Sequence, residues 1–205
     1  MLYYIIRTIL TPFFRLFFWP KVIGYEHMKA EGGAIYISNH RSNLDPLFIG
    51  LTAPRFIHFM AKEELFKNKL IGGFLKLLNA FPVRRKTADL HSVRCALKLI
   101  ESGKVLGIFP EGKRAITDDI DEMEKGAAFM AVRACVPVIP MYIPANMYGI
   151  KRPYLMVGEP IDMAAMVKTV PKSLLIDVVS DKFADSINAL KAEYEAKYAK
   201  NNRRR

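Results

Sequence analysis

The chain has 205 residues, 51% of them hydrophobic and 25% charged, which leaves room for one sizeable buried core and excludes a disordered polypeptide. Lys and Arg number 31 against 20 Asp and Glu, and the net charge of +11 asks for an anionic partner: nucleic acid, an anionic membrane surface or a phosphorylated substrate. The two cysteines, Cys95 and Cys135, exclude a disulfide-built scaffold; each sits in a helix-like apolar pattern and reads as a small core residue in a reduced protein.

Residues 1–20 are aromatic and apolar, carry no acid, and are interrupted by Arg7 and Arg15. Thr11-Pro12 reads as a helix cap followed by proline at the first helical position, so two short helices are expected. Each would rise about 15 Å, half of the ~30 Å hydrocarbon core of a bilayer. No basic region precedes the apolar run and no small-residue cleavage site follows, so a cleaved leader is not expected. Trp19 and Lys21 suit a membrane interface, and the segment reads as a membrane-associating one lying in the membrane plane, ahead of packing on the domain's own core.

The body, 21–205, reads as one domain. Ala34–Ser38 is a buried strand, and Pro46–Thr52 opens a helix with Asp45 near its N-terminus. Arg55–Met60 is a second strand, Lys67–Leu78 an apolar helix, and Ala80–Val83 a short strand. Asp89 is placed to cap a helix through Ile100, with Leu90, Val93, Leu97 and Ile100 at helical spacing. Strands follow at Val105–Phe109, Val136–Ile143 and Tyr154–Val157, with a helix between the first two ending at about Ala134. Pro171–Lys200 is a long helical pattern that leads to the basic tail Arg203-Arg204-Arg205. Strands alternating with helices give an α/β fold: a mixed, largely parallel sheet flanked by helices.

Three polar clusters each follow an apolar run: Asn39–Asp45, Arg84-Arg85-Lys86, and Glu111-Gly112-Lys113-Arg114. Ligands of open α/β sheets bind outside the carboxyl ends of the strands. If these strands run parallel, the three clusters meet along one edge and form one site. A neutral imidazole can take a proton from a hydroxyl, and a carboxylate on its other nitrogen fixes the tautomer and stabilises the imidazolium; His40 and Asp45 supply that pair. The plainer alternative stays open: a histidine at a strand end is commonly structural, and Asp45 before Pro46 is an ordinary helix-opening residue, with Ser42 or Asn43 as the cap. Arg84, Arg85, Lys86, Lys113 and Arg114 suit a phosphate or a solvated surface equally. Gly112 would let a ligand approach the backbone closely. There is no phosphate-binding Gly-x-x-x-x-Gly-Lys-Ser/Thr loop, no Gly-x-Gly-x-x-Gly, no Gly-x-Ser-x-Gly elbow and no His-Glu-x-x-His spacing. Pro137 and Pro140 are expected to shape a core strand.

Taken together and in order, Asn39-His40-Arg41-Ser42-Asn43-Leu44-Asp45, Phe81-Pro82-Val83-Arg84-Arg85, Phe109-Pro110-Glu111-Gly112-Lys113-Arg114 and Val136-Pro137-Val138-Ile139-Pro140 resemble the four motifs of the glycerolipid acyltransferase family. The resemblance runs from about Gly24 to Pro160. It implies transfer of a fatty acyl group from a thioester to the 2-hydroxyl of lysophosphatidic acid, giving phosphatidic acid for phospholipid synthesis. His40 would be the general base and Asp45 its orienting partner; Arg85, Glu111, Gly112, Lys113 and Arg114 would form the acceptor site. It further implies no bound cofactor, acyl-coenzyme A or acyl-carrier protein as donor, and a peripheral or monotopic place on the cytoplasmic face of the cell membrane. Lys113 stands where the family often has a small hydroxyl residue, and Arg84 where it often has an acidic or polar one. Two other readings remain: the same chemistry on glycerol 3-phosphate or another lysolipid, and a non-catalytic basic protein that binds a membrane. No signature of a nucleic-acid-binding fold accompanies the positive charge.

Overall fold

A computed structural model of the chain describes residues 2–77, 79–83, 90–111, 125–145 and 152–199. Seven strands form one sheet: β1 (Lys21–Ile23), β2 (Ala34–Ser38), β3 (Ile57–Lys62), β4 (Phe81–Val83), β5 (Val105–Ile108), β6 (Val138–Tyr142) and β7 (Tyr154–Val157). Their order is β1-β7-β6-β2-β5-β3-β4. β2 lies between β6 and β5, parallel to both, and β3 and β4 continue the parallel part. β7 runs antiparallel to β6, and β1 runs parallel to β7, so the sheet is mixed and largely parallel as expected. Every residue of β2, β5, β6 and β7 is buried, the continuous apolar pattern of strands covered on both faces.

The helices are α1 (Leu2–Phe18), α2 (Asp45–Thr52), α3 (Lys69–Leu77), α4 (Leu90–Glu101), α5 (Lys125–Ala134), α6 (Met163–Thr169) and α7 (Leu175–Lys197). Parallel strands joined through a helix cross over right-handed. From β2 to β3 and from β3 to β4 the chain moves one way across the sheet; from β4 to β5 and from β5 to β6 it moves back. The rule therefore puts α2 and α3 on one face and α4 and α5 on the other. The packing agrees: α1 lies on α2, while α4, α5 and α7 pack on one another in series. α7 buries Leu175, Val179, Phe183, Ile187, Leu190 and Tyr194, a stripe at helical spacing laid over β6 and β7.

Four local expectations are corrected. Residues 2–18 form one helix with Pro12 inside it, not two. Thr11 caps nothing, since its hydroxyl is buried without a hydrogen-bond partner. Phe14 stacks on Phe18 at 5.1 Å and meets Phe48 of α2 edge-on at 5.9 Å, and these contacts carry the helix through the proline. In α4 the buried stripe is Ser92, Ala96 and Ile100, while Leu90 is exposed. Small Ser92 and Ala96 let the helix approach closely, and Ser92 Oγ donates to Pro82 O at 2.9 Å. Cys95 is adjacent to that stripe and faces out, and Cys135 follows α5 with φ 51, so both thiols are exposed rather than in the core. β1, α6 and two short 3-10 helices, Tyr25–Lys29 and Glu63–Lys67, had no counterpart in the sequence reading.

Pro140 does sit in a buried central strand, opposite Ile37. Its carbonyl accepts Gly158 N–H at 2.8 Å, so the strand keeps an acceptor where it has no donor. No helix among the described residues is long and apolar enough to cross a membrane.

Candidate active site

Because β2, β5, β3 and β4 are parallel, Ser38, Ile108, Lys62 and Val83 all end at one edge of the sheet. Residues 39–45 leave that edge from the middle of the sheet and turn into α2. The turn is built around Asp45. Its Oδ2 accepts the backbone N–H groups of Arg41 at 2.6 Å and Ser42 at 2.7 Å. The same oxygen lies 3.0 Å from His40 Nδ1, and the Asp45 side chain is fully buried. Asp45 also opens α2 and places its negative charge at the helix N-terminus, where the backbone dipoles favour it. Ser42 contributes its carbonyl to Asp45 N–H and its hydroxyl to Leu44 N–H, so it shapes the turn.

The carboxylate can only accept, so His40 carries its ring proton on Nδ1 and leaves the Nε2 lone pair for another partner. The ring is held in place on its flat side as well: Phe109 stacks on it at 4.2 Å, and Phe59 stacks on Phe109 at 5.8 Å. Gly107 makes room for that stack, since a Cβ there would overlap the Phe59 ring. The side chain of His40 stays 16% exposed, enough to reach a substrate.

Asn39 anchors the start of the turn. It is 1% exposed, donates to Ile143 O at 2.8 Å and accepts Ile143 N–H at 2.8 Å. The pair of bonds ties the end of β2 to the chain just beyond β6. Asn39→Ala would leave both backbone groups of Ile143 unmatched, at about 1–3 kcal/mol each. A loss of about 2–4 kcal/mol in urea unfolding is expected, with a fall in activity as His40 loses its footing.

Glu111 follows β5 by three residues and lies against His40 and Arg41 of the Asn39–Asp45 turn, so it joins the first cluster. Its two carboxylate oxygens are buried, and among the described residues no donor reaches them in good hydrogen-bond geometry. Burial raises its pKa above the ordinary carboxylate value; the His40 backbone N–H, the Arg41 charge and His40 pull it back in part, and Asp45 pushes the same way as burial. The fold thus favours the neutral acid. Its stabilising contribution is present below the ordinary carboxylate pKa and is lost as pH rises through the raised folded value. Glu111→Gln should therefore melt higher than the parent at pH 7, and the gap should close as the pH is lowered. Thermal melts across that range check it.

Arg85, Gly112, Lys113 and Arg114 lie outside the described residues, as do Arg84, Lys86 and the 203–205 tail. β4 nonetheless ends, at Val83, on the same edge of the sheet as His40. Asn39 and Phe109 are the side chains that the reading for function passed over. Both stood inside quoted motifs, but their partners, Ile143 and the His40 ring, are set by the fold. Among the described residues no group of His, Cys, Asp and Glu could hold a metal ion.

Comparisons with known proteins give the family. Residues 20–144 match the family model for Acyltransferase. A 1-acyl-sn-glycerol-3-phosphate acyltransferase of Bacillus subtilis (strain 168) is 34% identical over 150 residues, covering 70% of this chain and 74% of that protein. One from Streptococcus pneumoniae is 30% identical over 141 residues, 65% of this chain, though the match spans only 52% of that relative. The crystal structure of the 1-acyl-sn-glycerophosphate (LPA) acyltransferase PlsC from Thermotoga maritima superposes with a TM-score of 0.66 over 91% of this chain and 81% of that one, at 23% identity. That likeness is one of fold. The family match and the Bacillus relative reach further, and on them the chain belongs to the acyltransferase family, as an O-acyl-transferring enzyme.

Proposed function

We propose that the chain transfers a fatty acyl group from an acyl thioester to the 2-hydroxyl of 1-acyl-glycerol 3-phosphate, giving phosphatidic acid. The observation that carries the reading is the His40–Asp45 pair: a buried carboxylate fixed by two backbone N–H groups, 3.0 Å from an imidazole nitrogen, at the carboxyl edge of a parallel sheet. The substrate named by the bacterial relatives gives the acceptor.

His40 Nε2 takes the proton of the acceptor hydroxyl as its oxygen attacks the thioester carbonyl. A C–O bond forms, and the tetrahedral oxyanion collapses with loss of the C–S bond. The imidazolium returns its proton to the departing thiolate. Asp45 stabilises the imidazolium through Nδ1 and never needs to move. No acyl-enzyme is required, since nothing in the turn is a strained nucleophile. Arg85, Glu111, Gly112, Lys113 and Arg114 are assigned to the acceptor, the guanidinium groups suiting its phosphate. Either acyl-coenzyme A or acyl-carrier protein suits a chain of net charge +11 as donor, because both bring negative charge.

Residues 1–20 are assigned to an anionic membrane surface on the cytoplasmic side, with residues 21–205 as the acyltransferase domain. The support is the exposed apolar row on α1, Ile9, Phe13, Leu16 and Phe17, continued by Trp19 just past its end, all more than half exposed. A 17-residue helix rises roughly 25 Å, short of the ~30 Å hydrocarbon core, which favours lying in the membrane plane. The C-terminal end of α1 leads directly into β1. β1 runs antiparallel to β6 and so begins at the edge where His40 stands. A lipid-bound α1 would hold the catalytic edge at the bilayer.

The test is direct. Purified protein, lysophosphatidic acid and each acyl donor are incubated in mixed micelles, and phosphatidic acid is sought by mass spectrometry. Its absence with both donors would sink the acceptor assignment.

A further inference from the structure

We propose that α3, Lys69–Leu77, is a second lipid-inserting element that sits on the bilayer together with α1; the inference rests on the reading of α1 as a lipid-facing helix. A helix on the outside of a soluble domain turns its large apolar residues inward and its polar ones outward. α3 instead exposes large apolar residues. The side toward the protein carries Gly72, buried against the 3-10 helix Glu63–Lys67 so closely that a Cβ would collide with Phe66 O. The side toward solvent carries Leu70, 86% exposed, Ile71 at 45% and Phe74 at 50%, and Leu65 of the preceding 3-10 helix extends the patch at 41%. Leu70, Ile71 and Phe74 stand at i, i+1 and i+4, one continuous apolar face.

That face is held firmly. Asn68 Oδ1 accepts the N–H groups of Leu70 at 3.0 Å and Ile71 at 3.1 Å, which caps the first turn. Asn79 N–H and Ala80 N–H close the last turn on Lys76 O and Leu75 O, at 3.0 and 2.9 Å. The helix is therefore built to present these side chains, not loosely attached with them.

The occupant is an anionic lipid surface, for three reasons. Lys62, Lys67, Lys69 and Lys76, on α3 and the chain leading into it, are exposed, against Glu63 and Glu64, and α3 itself has no acid. Lysines around an apolar row match anionic headgroups over acyl chains. The patch also belongs to the same face of the sheet as α1. β3 ends at the catalytic edge and feeds α3 within seven residues, and the right-handed crossovers place α3 on the same face of the sheet as α2, on which α1 lies. Finally, His40 at the end of the central β2 has the last turn of α1 toward one side of the sheet and α3 toward the other. Two apolar supports astride the site would fix the orientation of the enzyme on the bilayer, which one helix alone would leave free to rock.

Trp19 is the only tryptophan of the chain, which makes the test specific. Emission is recorded for the parent, reporting α1, and for Trp19→Phe/Phe74→Trp, reporting α3. Vesicles are phosphatidylcholine with and without phosphatidylglycerol, and with brominated acyl chains. The expected result is a blue shift and bromine quenching at both positions, stronger with phosphatidylglycerol. The triple variant Leu70→Ser/Ile71→Ser/Phe74→Ser, with circular dichroism confirming its helix content, should bind vesicles roughly tenfold or more weakly, from the apolar area it withholds. A response at position 19 alone, or unchanged binding by the folded triple variant, overturns the inference and leaves the reading of α1 standing. No response at either position overturns both. A blue shift at position 74 that needs protein concentration and no lipid would assign the patch to a second copy of the chain and overturn the inference too.

Discussion

His40→Ala leaves a folded protein with acyl transfer reduced by roughly 10²–10⁴-fold in kcat. The size follows from what is removed. The acceptor is an alcohol, a poor nucleophile until its proton leaves, and among the described residues no second base stands in the same place. Asp45 has the right chemistry but the wrong position: its Oδ2 is engaged by Arg41 N–H, Ser42 N–H and His40 Nδ1, and the side chain is fully buried. Glu111 is near, but burial raises its pKa and disfavours the charged form in which it would act as a base. Stability should change little. The imidazole contributes a ring stacked on Phe109 and one hydrogen bond, and it is partly exposed. Truncating it leaves Oδ2 with its two backbone donors. The substrate's KM should hold within a few fold, because the proton transfer belongs to the transition state. Steady-state kinetics on lysophosphatidic acid, beside a thermal melt, check both halves. A variant that keeps its full kcat would remove His40 from the mechanism.

The elements that could be read from the chain are those whose reason is local. β2, β5 and β7 are short unbroken apolar runs, and each run is buried throughout. Their parallel arrangement follows from alternation with helices, and it correctly gathers the ends of β2, β4 and β5 at one edge. β1 was out of reach because its three residues are half-buried and are ordered only by β7, far along the chain. α6 was missed despite a local signal: Asp162 caps it through Ala165 N–H at 3.0 Å, but seven residues give too little periodicity to separate from the long helix after it. The split expected at Thr11-Pro12 failed because Phe14 has a partner in Phe48 that no local rule contains. The same division runs through the site. His40 and Asp45 are five residues apart and lie in one turn, so their pairing is legible. Asn39 pairs with Ile143, 104 residues on, and Phe109 reaches His40 from the adjacent β5. Both depend on strand order, which residues in sequence do not state.

Asp45→Asn and Asp45→Ala should separate the two jobs of one carboxylate. All three described donors converge on the same oxygen, Oδ2. An asparagine can place its amide oxygen there and accept all three, so it keeps the turn and loses only the charge. The melt of Asp45→Asn should stay near the parent's, while kcat falls by roughly 10²–10⁴-fold, because the imidazolium formed in the transition state no longer faces an anion. Alanine has no acceptor at all. Arg41 N–H and Ser42 N–H are then left facing a cavity in a fully buried place, at about 1–3 kcal/mol each. Recovering the solvation of a buried carboxylate offsets part of this. A net loss of about 2–4 kcal/mol is expected for Asp45→Ala. Activity should be at least as low as in Asp45→Asn, since the turn that aims His40 is gone with the charge. Urea unfolding of both variants beside their kinetics is the measurement. If the asparagine variant unfolds as readily as the alanine one, the turn depends on charge rather than on an acceptor. If it instead retains parental kcat, Asp45 holds the turn and plays no part in stabilising the imidazolium.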